Sequence, residues 1–342
     1  MPKLSVHLVT WNGQKYIEEC LNSIYNQTYK DFLLLIIDNG SVDETIKIID
    51  NQFVPLFGQR IRFLKNKENF GFAKAHNQAV LWTDSDYIMV LNQDVILEPD
   101  FFSQAIEFME EHKESGSLSG KVLKWQFISN EDLKKSKKSV IIDSLGLKLF
   151  KNHKVIEIAA GQKDKQKYSE VKEIFGPSAA CPIYRRKALE DIRYNDEYFD
   201  NDFFSYKEDI DLAYRLQWRA WKSYYLPQAV AYHDRTAQNK KNTKGLKFLK
   251  FRKHKTKFVN YHSYKNHLFV LIKNLSPKNF KRYFLHIGFY ELKKLLFILF
   301  FEQSTLPALK EFKRKYKNIR EKHRFIMKNR LLKDEDMRKW FN

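Results

Sequence analysis

The first hundred residues switch repeatedly between two hydrophobic periods, and that alternation restricts the fold more than any other feature of the chain. Leu4–Thr10 is an apolar run of strand length, after which Tyr16–Asn26 sets Ile17, Leu21 and Ile24 on one helical face. Phe32–Ile37 is continuously apolar, as a strand covered on both faces requires. Asp43 is placed to cap a helix running through Ile46, Ile49 and Asp50. A strand at Ile61–Leu64, a helix at Phe72–Trp82, a strand at Tyr87–Leu91 and a helix from Pro99-Asp100 to about His112 complete the series. Such alternation predicts an α/β fold, Rossmann-like, with a mostly parallel sheet flanked by helices.

Open sheets of this kind bind ligands at the carboxyl ends of their strands. Polar clusters stand at those ends: Thr10-Trp11-Asn12, Asp38-Asn39-Gly40-Ser41 and Asn92-Gln93-Asp94. Carboxylates there can read a nucleotide base or ribose, and they supply the oxygen ligands that Mg²⁺ and Mn²⁺ prefer. Gly40 permits a tight turn where backbone meets ligand. The same residues also favour plain turns, so composition alone leaves both readings open. Asp84-Ser85-Asp86 repeats the acidic pattern at the amino end of a strand, the wrong end for a ligand, and reads as a turn.

Residues 115–175 are less periodic. Lys121–Trp125, Val140–Ile142 and Leu145–Phe150 have strand character, with a polar loop at Asn130–Lys138. The pattern then recovers with a strand at Ala179–Tyr184, helices at Arg186–Asp191 and Asp209–Trp221, and strands at Tyr224–Leu226 and Ala229–His233.

Taken in order, four segments resemble the family 2 glycosyltransferases. They are Val9-Thr10-Trp11-Asn12, Asp38-Asn39-Gly40-Ser41 with Asp43, the run Asn69-Phe70-Gly71-Phe72-Ala73 with Ala75 and Asn77, and Leu91-Asn92 with Asp94. A fifth, Phe203-Phe204 with Tyr206, Glu208-Asp209, Asp211-Leu212 and Arg215, looks like the acceptor-side motif of that family, and Pro227 and His233 follow at the usual spacing. The resemblance covers roughly residues 3–240 and looks closest to the rhamnosyltransferase-like members. It implies a GT-A fold and inverting transfer from a nucleoside-diphosphate sugar. Nucleotide-sugar binding falls to Thr10, Trp11, Asn12, Asp38, Asn39, Gly40, Asp43, Asn69, Gly71, Phe72, Asn77, Asn92, Gln93 and Asp94. The acceptor side takes Phe203, Phe204 and Asp211. Asp209 is implied as the base that takes the acceptor proton, with Glu208 beside it, and Asp94 and His233 as ligands of Mg²⁺ or Mn²⁺. The family's Asp-x-Asp is here Asn92-Gln93-Asp94, so one carboxylate is replaced by an amide without charge. The acids at 208, 209 and 211 are also what a helix start favours, and Arg215 can pair with them.

The net charge of +20 is unevenly spread: residues 235–342 hold 30 Lys+Arg against 7 Asp+Glu. The body is therefore near neutral, and the basic C-terminal third is drawn to polyanions. No apolar run reaches the roughly 18 residues of a spanning helix. Phe280, Phe284, Ile287, Glu291, Leu295 and Ile298 fall near helical spacing with Lys281, Arg282, Lys293 and Lys294 at the flanks, which suits a helix lying in an anionic headgroup region; the alternative is a helical subdomain whose apolar stripe packs on the catalytic body. The tail beyond Lys310 reads as a solvated helix or a partly disordered segment. Two cysteines outside any Cys-x-x-Cys pair, and an N-terminus that opens directly into a strand, fit a reducing cytoplasmic setting. The organisation expected is a GT-A catalytic domain over 1–240, with a nucleotide-sugar half (1–114) and an acceptor half (115–240), and a basic amphipathic helical extension over 241–342. Expected partners are a UDP- or dTDP-sugar, a glycan or lipid-linked glycan acceptor, and the anionic inner face of a cell membrane. The basic tail raises a nucleic-acid-binding protein as a rival, but it carries no recognised nucleic-acid motif, so no specific nucleic acid is expected. Asn92 raises a second alternative, a relative that has lost turnover.

Overall fold

The structure, a computed structural model, describes residues 2–126, 137–234 and 256–342. Most of the expected loop at Asn130–Lys138 and the expected boundary near residue 240 lie outside them. Strands β1 (Leu4–Thr10), β2 (Phe32–Asp38), β3 (Ile61–Lys65) and β4 (Tyr87–Asn92) pair in parallel in the order β3-β2-β1-β4. Strand β2 is buried at every position, which is why its sequence does not alternate. Helices α1 (Ile17–Tyr25), α2 (Thr45–Ile48), α3 (Val54–Phe57), α4 (Gly71–Leu81) and α5 (Phe101–Glu111) flank this half. Ile17, Cys20, Leu21 and Ile24 of α1 pack with Leu4, Leu34, Leu91 and Phe102 in the largest core. Both cysteines are buried as free thiols, Cys20 in α1 and Cys181 in the turn after Gly176.

The sheet continues beyond β4 with mixed pairing. A short strand β5 (Val95–Leu97), absent from the sequence reading, follows the polar strand end and pairs with a later one. Strands β6 (Ser115–Gln126), β7 (Lys137–Ser144), β8 (Leu147–Leu149), β9 (Val155–Glu157) and β10 (Lys172–Ile174) occupy the region where periodicity is weak, and β11 (Ile183–Arg185) and β12 (Lys222–His233) follow it. The expected strand at Ala179–Tyr184 is confined to Ile183–Arg185. Before it, residues 179–182 form a turn whose carbonyls at Ala180 and Pro182 receive the amides of Asn92 and Val90. The two strands expected at Tyr224–Leu226 and Ala229–His233 are one strand, β12, with a register shift between Leu226 and Val230 that accommodates Pro227. Helices α6 (Arg186–Asp191) and α7 (Glu208–Trp218) follow the expected positions.

Among the described residues, the C-terminal part holds three α-helices, α8 (Lys257–Asn274), α9 (Pro277–Phe301) and α10 (Pro307–Asn329). They share a core with the body: Phe175, Phe203, Ile210, Tyr214 and Trp218 pack with Phe269, Ile287, Ile319, Ile326, Met337 and Phe341. The region beyond Lys310 is an ordered helix, α10, which buries Ile319, Lys322, His323 and Ile326 on one side and leaves its other side to solvent. Helix α9 also corrects the expected face. Ile287 and Ile298 are buried, and Glu291 pairs with buried His267 at 2.6 Å, so the middle and end of that stripe pack inward, while Phe280 and Phe284 at its start stay exposed. The opposite side, carrying Leu285, Phe289, Leu292, Leu296, Leu299 and Phe300, is exposed, Leu285 by 79%. Among the described residues, no helix is long and apolar enough to cross a membrane.

Candidate active site

The ends of β1, β2 and β4 are tied together by side chains before any ligand is considered. Asp38 accepts from the Gly40 and Ser41 amides at 3.1 and 2.8 Å and from the Ser41 hydroxyl at 2.5 Å. Its carboxylate shapes the turn, and Gly40, at φ +80°, could not carry a Cβ without pressing on the Glu68 backbone at 3.0 Å. Asn12 is left-handed (φ 48°); its amide donates to Ser41 and its side chain accepts from the Val42 amide. Asp43 holds the amides of Gln14 and Thr45 at 3.1 Å each and the Thr45 hydroxyl. Burial opposes its charge, but these donors outweigh burial and lower its pKa. Gln93 accepts from the Thr10 hydroxyl and the Trp11 amide, at 2.5 and 3.0 Å, and so clamps β1 to β4. Trp11 itself is half exposed at the rim.

The next segment is also a brace. Asn39 donates to Asn69 and to the Gly71 carbonyl, both at 3.2 Å, and Asn69 accepts from the Gly71 amide. Asn77 accepts from the Tyr198 and Phe199 amides and donates to the Phe199 carbonyl, so it fastens α4 to the segment before α7. Phe72, partly buried, packs on His76 and Phe199.

Asp94 and His233 are brought together by β5 pairing with β12. His233 Nε2 lies 3.4 Å from Asp94 Oδ1, and Nδ1 lies 2.9 Å from Asp143 Oδ2. Burial disfavours charge on this imidazole, yet the two flanking carboxylates raise it to about 10. Asp143 was missed in the sequence, although an acid directly after the apolar run Val140-Ile141-Ile142 was the available signal. A carboxylate on Nδ1 is also the partner that directs Nε2 toward a metal ion. Asp94 and His233 would suit a divalent cation once Nε2 gives up its proton to the entering metal. Among the described residues, no group of three His, Cys, Asp or Glu forms a complete protein cage.

Asp209 stands at the start of α7. Its Oδ2 accepts the Ala179 amide at 3.3 Å, and the next residue, Ala180, receives the Asn92 amide. The carboxylate is therefore two backbone contacts from the end of β4, on the side where Asp94 begins. Burial first, and then the charge of Glu157, raise its pKa to about 6. Glu157, also missed, is fixed by the hydroxyls of Ser178 and Ser144. Glu208 is buried with Oε1 unpartnered, and burial above all raises it to about 8, so it is largely protonated at neutral pH. The remaining acceptor-side assignments change. Asp211 faces away from the cleft and receives Arg215, Lys273 and Asn274, and Phe203 is fully buried against Phe269. Both belong to the seam with α8. Phe204 stacks on His262 of the same helix.

A sheet whose parallel strand ends gather a turn-forming aspartate, an Asp–His pair and a helix-start carboxylate of raised pKa defines the class of GT-A transferases. The chain matches the model of glycosyl transferase family 2 over residues 5–193, and it belongs to that family as a glycosyltransferase. It is 26% identical to an uncharacterized glycosyltransferase of Methanocaldococcus jannaschii, over 93% of this chain and 96% of that one. The similarity to the chondroitin synthase of Escherichia coli is 37%, over 29% of this chain and only 14% of that protein. The mannosyltransferase PcManGT from Pyrobaculum calidifontis, solved with GDP-Man and Mn2+, shares the fold with TM-score 0.53 at 14% identity, over 96% of this chain and 86% of that one.

Proposed function

We propose that this enzyme transfers a hexose or deoxyhexose, with rhamnose the first choice, from a UDP- or dTDP-sugar to a hydroxyl of a glycan or lipid-linked glycan. The transfer is a single displacement that inverts the anomeric centre, in the synthesis of a cell-surface polysaccharide. The observation that carries the reading is Asp209, a carboxylate raised to about 6 and anchored beside the end of β4. That value leaves it ionised at neutral pH yet basic enough to take the acceptor proton as the new bond forms. Asp38, Asn12 and Asp43 hold the cradle for the base and ribose, and Thr10 and Gln93 fix its edge. Asp94 and His233 would hold Mg²⁺ or Mn²⁺, whose charge would stabilise the departing diphosphate. Glycan- and teichoic-acid-forming relatives support the polysaccharide setting.

The exposed side of α9 supports peripheral attachment at the inner membrane face. A helix apolar on two opposite sides has a second partner besides the body. Lys281, Arg282 and Lys293 accompany the exposed side, and the surplus of positive charge in the C-terminal third suits an anionic bilayer while repelling a second copy.

A thermal-stability screen of the full chain against UDP-, dTDP- and GDP-sugars, with and without Mn²⁺, tests the donor assignment. A rise with one UDP- or dTDP-sugar, larger with Mn²⁺ and reduced in Asp94→Ala, is expected. A rise with GDP-mannose alone, or none with any donor, would remove it.

A further inference from the structure

The segment that leads into α7 is held in an unfavourable backbone conformation. Phe204, Tyr206 and Lys207 have φ of 65°, 75° and 72°, in the left-handed region, and none of them is glycine. Bulky residues enter that region only where their surroundings dictate it. The very next residues are Glu208 and Asp209, so the direction in which α7 starts depends on this loop.

Two neighbours dictate it. On one side Phe204 meets the donor half: its carbonyl receives the Ala73 amide at 3.3 Å, and a Cβ on Gly71 would lie 2.5 Å from the same oxygen. On the other side stands α8. Asn266, fully buried, aims Nδ2 at the carbonyls of Phe203, Ser205 and Tyr206, at 3.0, 2.8 and 2.7 Å. Lys265 adds its ammonium to the carbonyl of Asp202 at 2.7 Å. The amide oxygen of Asn266 has no partner. Leaving it unpaired in a buried place is unfavourable, so what fixes this side chain is its donor end.

We propose that Asn266, from outside the segment matched by the family model, is a positioning residue for catalysis. Its amide clamps the left-handed loop Phe203–Lys207 and thereby sets Asp209 against the acceptor hydroxyl. Without the clamp, Tyr206 and Lys207 relax toward ordinary φ, and the first turn of α7 rotates. The cradle formed by Asp38, Asn12 and Asp43 makes no contact with Asn266, so donor binding survives. The inference rests on the reading of Asp209 as the base.

The experiment compares wild type, Asn266→Ala and Asp209→Asn in the full chain. It measures kcat, donor KM, donor-induced thermal shift and the pH profile. In Asn266→Ala, kcat is expected to fall about 100-fold, as a misplacement of roughly 1 Å can produce. Donor KM and thermal shift stay within about threefold of wild type, and the acid limb of the kcat profile flattens because the base no longer governs the step. Lys265→Met, which takes the ammonium from the carbonyls of Asp202 and Phe203 and leaves the Asn266 amide in place, gives the same pattern at about tenfold and serves if Asn266→Ala does not fold. If kcat holds within threefold while melting falls, or if kcat and donor binding fall together with the folded fraction, the positioning role is overturned. If Asp209→Asn turns over normally, the base reading itself fails. If Asp209→Asn is inert and Asn266→Ala is active, only the present inference fails.

Discussion

Carboxylates are concentrated in two places in this molecule, and they are treated in opposite ways. At the seam between the body and the C-terminal helices, each buried acid meets a buried cation. Asp200 receives Lys273 and Lys322, both at 2.6 Å, and Asp211 receives Lys273 at 2.9 Å and Arg215 at 2.8 Å. These cations hold Asp200 and Asp211 below the ordinary carboxylate range in spite of their burial. At the strand ends, Asp38 and Asp43 are met by amides and hydroxyls, and Asp209 by the amides of Ala179 and Ile210 and the like charge of Glu157. The seam neutralises charge to join two parts of the chain. The cleft keeps negative charge available for a cation and a proton. A buried ionisable group is thus a poor marker of function by itself, and the nature of its partner separates scaffold from site.

The strongest way to break the comparison is Lys273→Met together with Lys322→Met, which strands Asp200. Unfolding free energy should fall by about 3–5 kcal/mol in denaturant titration, the cost of removing one partner from a buried pair. A loss under about 1 kcal/mol would show that the seam is not electrostatically closed.

Asp209→Asn should do the reverse. Transfer should drop about 10²–10⁴-fold while the protein unfolds no more easily. The sign follows from linkage: a carboxylate whose folded pKa lies above its unfolded value loses stability as pH rises from the ordinary range through about 6. Removing the charge at neutral pH therefore keeps or slightly raises stability. The same raised value predicts that kcat/KM in wild type declines below about pH 6, where the base is protonated. Glu157→Gln removes a like charge and should move that limb to lower pH. A limb that stays in place would show that Glu157 does not govern the base.

The smallest effect concerns the exposed side of α9. Replacing Leu285, Phe289, Leu292 and Leu296 by serine should weaken flotation with phosphatidylglycerol-containing vesicles by about tenfold or more, with unchanged melting. Equal flotation of variant and wild type would assign membrane binding to the lysines alone. A wild-type dimer that becomes monomeric in the variant would assign the face to a second copy.

The donor half was legible because each element there obeys a single hydrophobic period. Phe32–Ile37 and Tyr87–Leu91 could be read as doubly covered strands without knowing what covers them. The strand ends were legible as well, but not their division of labour. Asp38, Asn39, Asn77 and Gln93 look like ligand contacts in sequence, and the structure shows each bracing a turn. Asp143 and Glu157 stayed hidden because the groups they meet, His233 for one and Ser178 and Asp209 for the other, lie far along the chain and only the fold brings them close. The face of α9 was misread for a related reason. Apolar residues run almost all round that helix, and sequence spacing does not reveal which side the body claims.

The contact between Gly71 and Phe204 bears on how such enzymes can be recombined. A chimera that exchanges the first 114 residues for those of a relative would separate this glycine from the loop it was shaped to meet, and Asn77 from Tyr198 and Phe199. A foreign side chain at 71 would push directly on the segment that starts α7. Donor preference and the geometry of the proton acceptor are therefore inherited as one block. A productive graft has to carry residues 198–207 along with the donor half, although more than 80 positions of sequence lie between the two.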